Sequence, residues 1–191
     1  MLTTIRSLCI AILVAAVGAT AHAADSYAVD PVHSSVSFKS LHAGISYIHG
    51  RFDDVSGQFV IDKDDPAKSS FALSIKTESV NTNNAKRDEH LRAPDYFNVK
   101  QFPTLTFQST SVKAVEGGYE TTGDLTLHGV KKPVTFTLKG GDKTVEFPKG
   151  MMRVGFTVLL SIKRSDFDMK TGLEALSDEI FIDMGVEAVK Q

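Results

Sequence analysis

The run Met151-Met-Arg-Val-Gly-Phe156-Thr-Val158-Leu-Leu160-Ser-Ile162-Lys-Arg164-Ser-Asp166-Phe167 decides the fold. Its large apolar residues Phe156, Val158, Leu160 and Ile162 fall at every second position. That period gives an extended strand one apolar face. Strands are usually about 5–6 residues long. At ~3.3 Å per residue this run reaches roughly 40 Å. A sheet of such strands suits an elongated barrel better than a compact sandwich.

The same period recurs on both sides of the run. Val36, Phe38 and Ser40 alternate with Ser35, Ser37 and Lys39. Phe71, Leu73 and Ile75 repeat the pattern, as do Leu105 and Phe107, then Leu125 and Leu127. Val134, Phe136 and Leu138 follow, and Ile180, Ile182, Met184 and Val186 close the chain. Turn signals separate these runs: Gly117-Gly118, Gly140-Gly141 and Pro148-Lys149-Gly150, with Asp62 to Pro66 ending the strand that stops at Ile61. Many strands joined by short turns imply an antiparallel sheet that is closed or stacked to protect its edges. One segment departs from the pattern. Asn84 to Pro94 predicts a short helix near residues 84–93, capped by Asn83 or Asn84 and stopped by Pro94. The fold class is all-β, an extended antiparallel barrel with one short helix.

Residues 1–23 read as a signal peptide rather than as part of the fold. Arg6 is followed by the apolar stretch Leu8 to Gly18 and by Ala21-His22-Ala23, which predicts cleavage after Ala23. The apolar stretch is short for a membrane span. The domain is then residues 24–191, exported to a periplasm-like compartment. The single cysteine, Cys9, lies inside the leader, so the exported chain uses no disulfide. The formal charge of the whole chain is −2, and losing Arg6 makes it more negative. Nucleic acid is a poor partner for such a surface.

Alternation alone also fits a barrel of the outer membrane. Such barrels carry aromatic girdles and commonly a terminal aromatic. This chain has no Trp and only 4 Tyr, and it ends Val189-Lys190-Gln191. The apolar face is therefore assigned to the interior. With 12 Phe residues that interior has large walls without hydrogen-bonding groups. Alternation assigns Phe38, Phe59, Phe71, Leu73, Ile75, Phe107, Phe136, Phe156, Val158 and Ile182 to the inner wall. Composition leaves open whether they fill a core or line a tunnel.

Polar constellations are sparse. His33, His42, His49, His90 and His128 show no metal-ligand spacing, so no metal is assigned. Asp30-Pro-Val-His33-Ser34 reads as a turn, and no Gly-x-Ser-x-Gly elbow is present, so no catalytic residue is assigned. Arg87-Asp88-Glu-His90-Leu-Arg92 is the densest polar cluster. It reads either as a solvated helix face with local ion pairs or as a helix across a barrel mouth that meets a polar head group. Arg164 and Asp166, at the end of the long strand, join the same rim in the second reading. A guanidinium suits phosphate.

The order of motifs resembles a known family. Tyr27-Ala-Val-Asp30-Pro-Val-His33-Ser34 opens the domain, and Gly50-Arg-Phe52 and Gly57-Gln-Phe59 follow. Next come Arg87-Asp88-Glu-His90-Leu91-Arg92, Phe102-Pro103-Thr-Leu-Thr-Phe107, Gly123-Asp-Leu125-Thr-Leu-His128-Gly129 and Arg164-Ser-Asp166-Phe167. Over residues 25 to 189 this is similar to the YceI-like family of periplasmic polyisoprenoid-binding proteins. The resemblance implies a lipocalin-like barrel of about eight strands, often dimeric, whose tunnel takes a polyisoprenoid or quinone-like lipid as ligand. It implies a binding or carrier role without enzymatic activity, and a link to a membrane cytochrome or quinone system. His33, Arg87, Asp88, His90, Arg164 and Asp166 match its motifs and become the rim candidates. Two alternatives stand beside it: an enzyme acting on an isoprenoid lipid, and a stress-related partner protein with a filled barrel. Two positions depart from the family pattern: Tyr27 replaces a usual Trp, and Asp168 replaces a common Gly.

Overall fold

The computed structural model describes residues 24–191. The expected signal peptide, residues 1–23, lies outside them. The strands are β1 (Asp25–Val29), β2 (Ser35–His42), β3 (Ser46–Phe52), β4 (Val55–Ile61), β5 (Ser70–Lys76) and β6 (Val80–Asn81). Helix α1 (Ala85–Arg92) follows. The chain continues with β7 (Thr104–Val115), β8 (Gly118–Leu127), β9 (Val130–Glu146), β10 (Met152–Lys163) and β11 (Leu176–Lys190).

Several of these segments lie end to end. β1 pairs with one end of β11 through Tyr27 and Lys190, and β2 pairs further along it through Phe38 and Ile182. β3 and β4 extend each other along β2 and β1, and β6 continues β5 beside β3. Joined in this way, the 11 segments form a closed barrel of 8 long antiparallel strands, sealed by the β1–β11 pairing. The expected barrel and its strand number are what the structure has.

Local chemistry explains the connections. Asn84 caps α1 by accepting from the Arg87 N–H at 3.1 Å. Ala93, ahead of Pro94, is already extended, which ends the helix. His128-Gly129 joins β8 to β9 with φ of 52° and 75°, a pair of left-handed residues that matches the twist of a tight hairpin. Two expectations need correction. Gly140-Gly141 is not a turn but a bulge inside β9, where positive φ at both residues shifts the register against β10. The long strand stops at Lys163 rather than Phe167. Arg164–Phe167 forms a 3₁₀ turn that ends on Asp168 at φ 61°. That left-handed geometry favours glycine, and Asp tolerates it.

The interior differs between the two ends. At one end the sheet register sets Tyr27 opposite Phe59, and Phe59 opposite Phe71. Phe156 packs edge-on against Phe59 at 5.7 Å and Phe71 at 5.5 Å, and Tyr119 lies 5.8 Å from Phe71. Tyr27, Phe59, Phe71 and Phe156 are each at most 3% exposed. These rings fill the barrel and form a plug. Edge-to-face pairs at such spacing add to the burial of each ring.

Truncation of one ring leaves a hole that its rigid neighbours cannot close. Phe71→Ala is expected to destabilise the protein by about 3–5 kcal/mol in urea unfolding. A loss below about 1 kcal/mol would show that the plug is loosely packed.

Candidate functional site

Beyond the plug the barrel is hollow. A cavity of about 160 Å³ lies between the plug and the opposite end. Six of the residues assigned to an inner wall line it: Phe38, Leu73, Ile75, Phe107, Phe136 and Ile182. The other four, Phe59, Phe71, Phe156 and Val158, do not. The first three belong to the plug, and Val158 is buried core at 1% exposure. All ten do face inward, but alternation carries no information on height along the barrel.

Further lining residues come from the same alternating runs. Leu105, Leu125, Leu127, Leu160 and Ile162 take part in the wall. The cap is a different matter. Leu91 from α1 and Tyr96 and Phe97 from the following loop close the cavity on one side. Phe97 meets Phe52 edge-on at 5.4 Å, and Phe52 meets Phe38 at 5.5 Å, so one chain of rings runs from cap to wall. The signal for Tyr96 and Phe97 was two adjacent aromatics one residue beyond a helix-stopping proline, where a solvated turn would be polar.

The rim candidates separate into different roles. Arg164 is 5% exposed and reaches the cavity wall. Its guanidinium donates to the carbonyls of Ser177, Met169, Thr171 and Leu176 at 2.6–3.1 Å. It thereby folds the segment between β10 and β11 around itself, and its charge has no carboxylate in direct contact among these bonds. Arg87 and Asp88 hold the start of α1. Arg87 Nε donates to Thr82 Oγ1 at 2.7 Å, and the Thr82 N–H and hydroxyl donate to Asp88 Oδ1 at 2.8 and 2.6 Å. Arg92 donates to the carbonyls of Glu78 and Val80, which ties the helix to the β6 region. His90 is exposed and stacks edge-on against Tyr96 at 4.9 Å, so it borders the cap from outside. Asp166 is exposed in the turn after β10.

His33 lies apart from the cavity, in the break between β1 and β2. Its Nδ1 is 2.8 Å from Asp30 Oδ2. Arg153 of β10 donates to the same Asp30 oxygen at 2.7 Å and also to Glu187 of β11. Asp30, His33 and Glu187 are close enough to suggest a cation site. The Arg153 guanidinium already supplies the positive charge between the two carboxylates. Hydrogen bonds from His33, Arg153 and the Val32 N–H hold the Asp30 carboxyl far below the usual carboxylate range.

Among the described residues, the polar side chains lining the cavity are Ser37, Ser40, Tyr96 and Arg164. No helix among them is long and apolar enough to cross a membrane. This arrangement excludes water from an apolar guest and offers polar contacts only at its margins.

Comparison with known proteins agrees with this architecture. A family model described as a YceI-like domain matches residues 27–188. A UPF0312 protein of Ectopseudomonas mendocina is 41% identical over 182 residues, covering 93% of each chain. Protein YceI of Escherichia coli O157:H7 is 43% identical over 162 residues, covering 83% of each. Among solved structures, BcnA of Burkholderia cenocepacia superposes with a TM-score of 0.75 at 26% identity, over 83% of this chain and 98% of that one. The Campylobacter jejuni YCEI protein gives 0.69 at 33% identity, over 77% and 87%.

The Asp30–Arg153 pair generates a pH dependence. A carboxyl with a lowered native pKa adds stability that is complete above its unfolded value and is lost as pH falls toward the native value. The stability gap between wild type and Asp30→Asn is therefore expected to shrink as pH falls below ~4. Urea unfolding across that range measures it. A gap that stays level or widens in acid would contradict the assignment.

Proposed function

This chain belongs to the YceI-like family, and we propose that it is a periplasmic carrier that holds a polyisoprenoid or quinone-like lipid by its tail. The observation that carries this reading is a one-ended apolar cavity inside a closed barrel. A plug at one end and an apolar wall at the other suit a molecule with one greasy terminus and one polar terminus. The tail tip would point toward the plug, and the head group would emerge near the cap and Arg164. A solved polyisoprenoid binding domain from Saccharophagus degradans has the same fold, with a TM-score of 0.64 at 22% identity. The further partners implied by the resemblance, a second copy of the chain and a membrane cytochrome or quinone system, belong to this proposal on that ground alone.

Magnitudes favour binding without specific polar contacts. Each buried CH₂ contributes about 0.8 kcal/mol. A tail of about 20 carbons gives more than ~10 kcal/mol before the costs of ordering and association. Size sets a condition on this. A cavity of ~150 Å³ takes a guest the size of benzene, so the closed cavity of about 160 Å³ holds only a short segment. A long tail must displace Leu91, Tyr96 and Phe97. Those residues sit on helix and loop rather than on hydrogen-bonded sheet. The other nonsheet part of the wall, around Arg164 and Met169, is held by the four carbonyl contacts of Arg164, so the cap is the element that yields.

The lining residues also weigh against catalysis. Acid–base or nucleophilic chemistry needs a positioned base or nucleophile within reach of the guest. The described lining offers no carboxylate, imidazole or thiol. We therefore read the protein as a binder.

Native mass spectrometry and organic extraction of protein purified without detergent test the proposal. One long-chain lipid per chain is expected. Phe107→Asp, which sets a charge into the apolar wall beside Phe136, should retain less than about a tenth as much lipid while remaining folded. Parent protein that carries no lipid and takes none up would overturn the reading, as would equal retention by the variant.

A further inference from the structure

Three phenylalanine rings of the interior are each seated against a glycine on an adjacent strand. A Cβ added to Gly50 would lie 2.4 Å from Phe38 Cζ, one on Gly123 would lie 2.5 Å from Phe107 Cζ, and one on Gly141 would lie 2.3 Å from Phe156 Cε1. Real Cβ atoms do not approach so closely, so each ring occupies the space a side chain would take. Two of these rings, Phe38 and Phe107, are cavity wall. The third belongs to the plug.

Phe38 is the informative case. The register sets it directly opposite Gly50 on β3 and directly opposite Ile182 on β11. The three ring atoms nearest a Gly50 Cβ are Cζ, Cε2 and Cε1, at 2.4, 2.8 and 2.9 Å. The outer edge of the ring therefore leans along the wall over Gly50 instead of pointing across the cavity. Ile182 occupies the other flank, and Phe52 lies 5.5 Å away. A ring evicted from the Gly50 notch has the cavity itself as its remaining space.

We propose that Gly50 sets the bore of the cavity, by seating Phe38 flat against the wall so that a methyl-branched chain fits. This rests on the lipid-holding reading and deepens it, because it names the residue that admits the branches of such a tail. A linear alkyl chain needs less width than one carrying a methyl group at every fourth carbon. A glycine notch beneath a wall ring adds width at that point. Gly123 has the same relation to Phe107, but its added Cβ would also strike the Gln108 carbonyl oxygen at 2.4 Å, so substitution there disturbs the backbone as well. At Gly50 the three nearest atoms all belong to the ring, which makes it the clean position.

The test compares phytanol with n-hexadecanol, which share a main chain and differ only in methyl branches. Binding of each is measured by native mass spectrometry titration on the delipidated full domain, with thermal unfolding run in parallel. Gly50→Ala is expected to weaken phytanol roughly tenfold or more, the scale of one misplaced methyl group in an apolar site, and n-hexadecanol by less than about threefold. Adding Phe38→Leu to Gly50→Ala should restore phytanol to within about threefold of wild type. Equal weakening of both alcohols, no weakening of either, or no rescue overturns the proposal. If Gly50→Ala does not fold, Phe38→Leu alone carries the test: the phytanol preference should rise, and an unchanged ratio overturns the proposal. Wild-type protein that binds neither alcohol instead overturns the lipid-holding reading beneath it.

Discussion

Closure of the sheet is the constraint on which the rest depends. The pairing of Tyr27 with Lys190 and of Val29 with Ala188 joins the first strand to the last. A closed sheet has no free edge along that seam. It also has a single interior, and every inward side chain must either pack against its neighbours or line a void. The strands are too long for one compact core, so the chain does both, at different heights.

The division follows from side-chain size and placement. Where Tyr27, Phe59 and Phe71 fall on one row of adjacent strands, with Phe156 and Tyr119 across from them, the rings meet and the lumen closes. Further along, the inward positions carry Leu, Ile and Val, and the wall rings Phe38 and Phe107 lean over glycines. The lumen stays open there. The far side is covered by α1 and its loop, held by Arg87, Asp88 and Arg92 through contacts to backbone and to Thr82. The polar cluster of the helix thus acts mainly on the helix's own seat. The other nonsheet part of the wall, the connection holding Arg164 and Met169, is tied to the Arg164 guanidinium, which leaves α1 and its loop as the movable cover.

Much of this was legible in the residues. Period-two alternation located the strands because only an extended chain sends every second side chain to one face. Asn84 and Pro94 bounded the helix because each acts on the backbone locally. The double glycine at 140–141 misled, since positive φ serves a bulge as well as a turn. Phe156 and Phe107 look alike in sequence, yet one is plug and the other is cavity wall. Their difference is set by ring partners on other strands: Phe156 meets Phe59 and Phe71, whereas Phe107 meets Phe136. His33 misled for a related reason. Its motif, like those of the other rim candidates, matches the family pattern, but the strand break fixes it beside Asp30 and Arg153, away from the cavity. Arg164 gave the opposite result: its position at the end of a strand fitted a rim, and the structure adds that backbone carbonyls absorb four of its donor contacts.

The barrel is a container hollow at one end only. Methyl-resolved NMR of the domain during titration with a long-chain alcohol tests it most directly. Large shifts are expected at Ile75, Leu105, Leu127 and Ile162, which line the cavity, and small ones at Ile61, Val112 and Val154, which do not. Shifts spread evenly over both groups, or confined to the second, would contradict it.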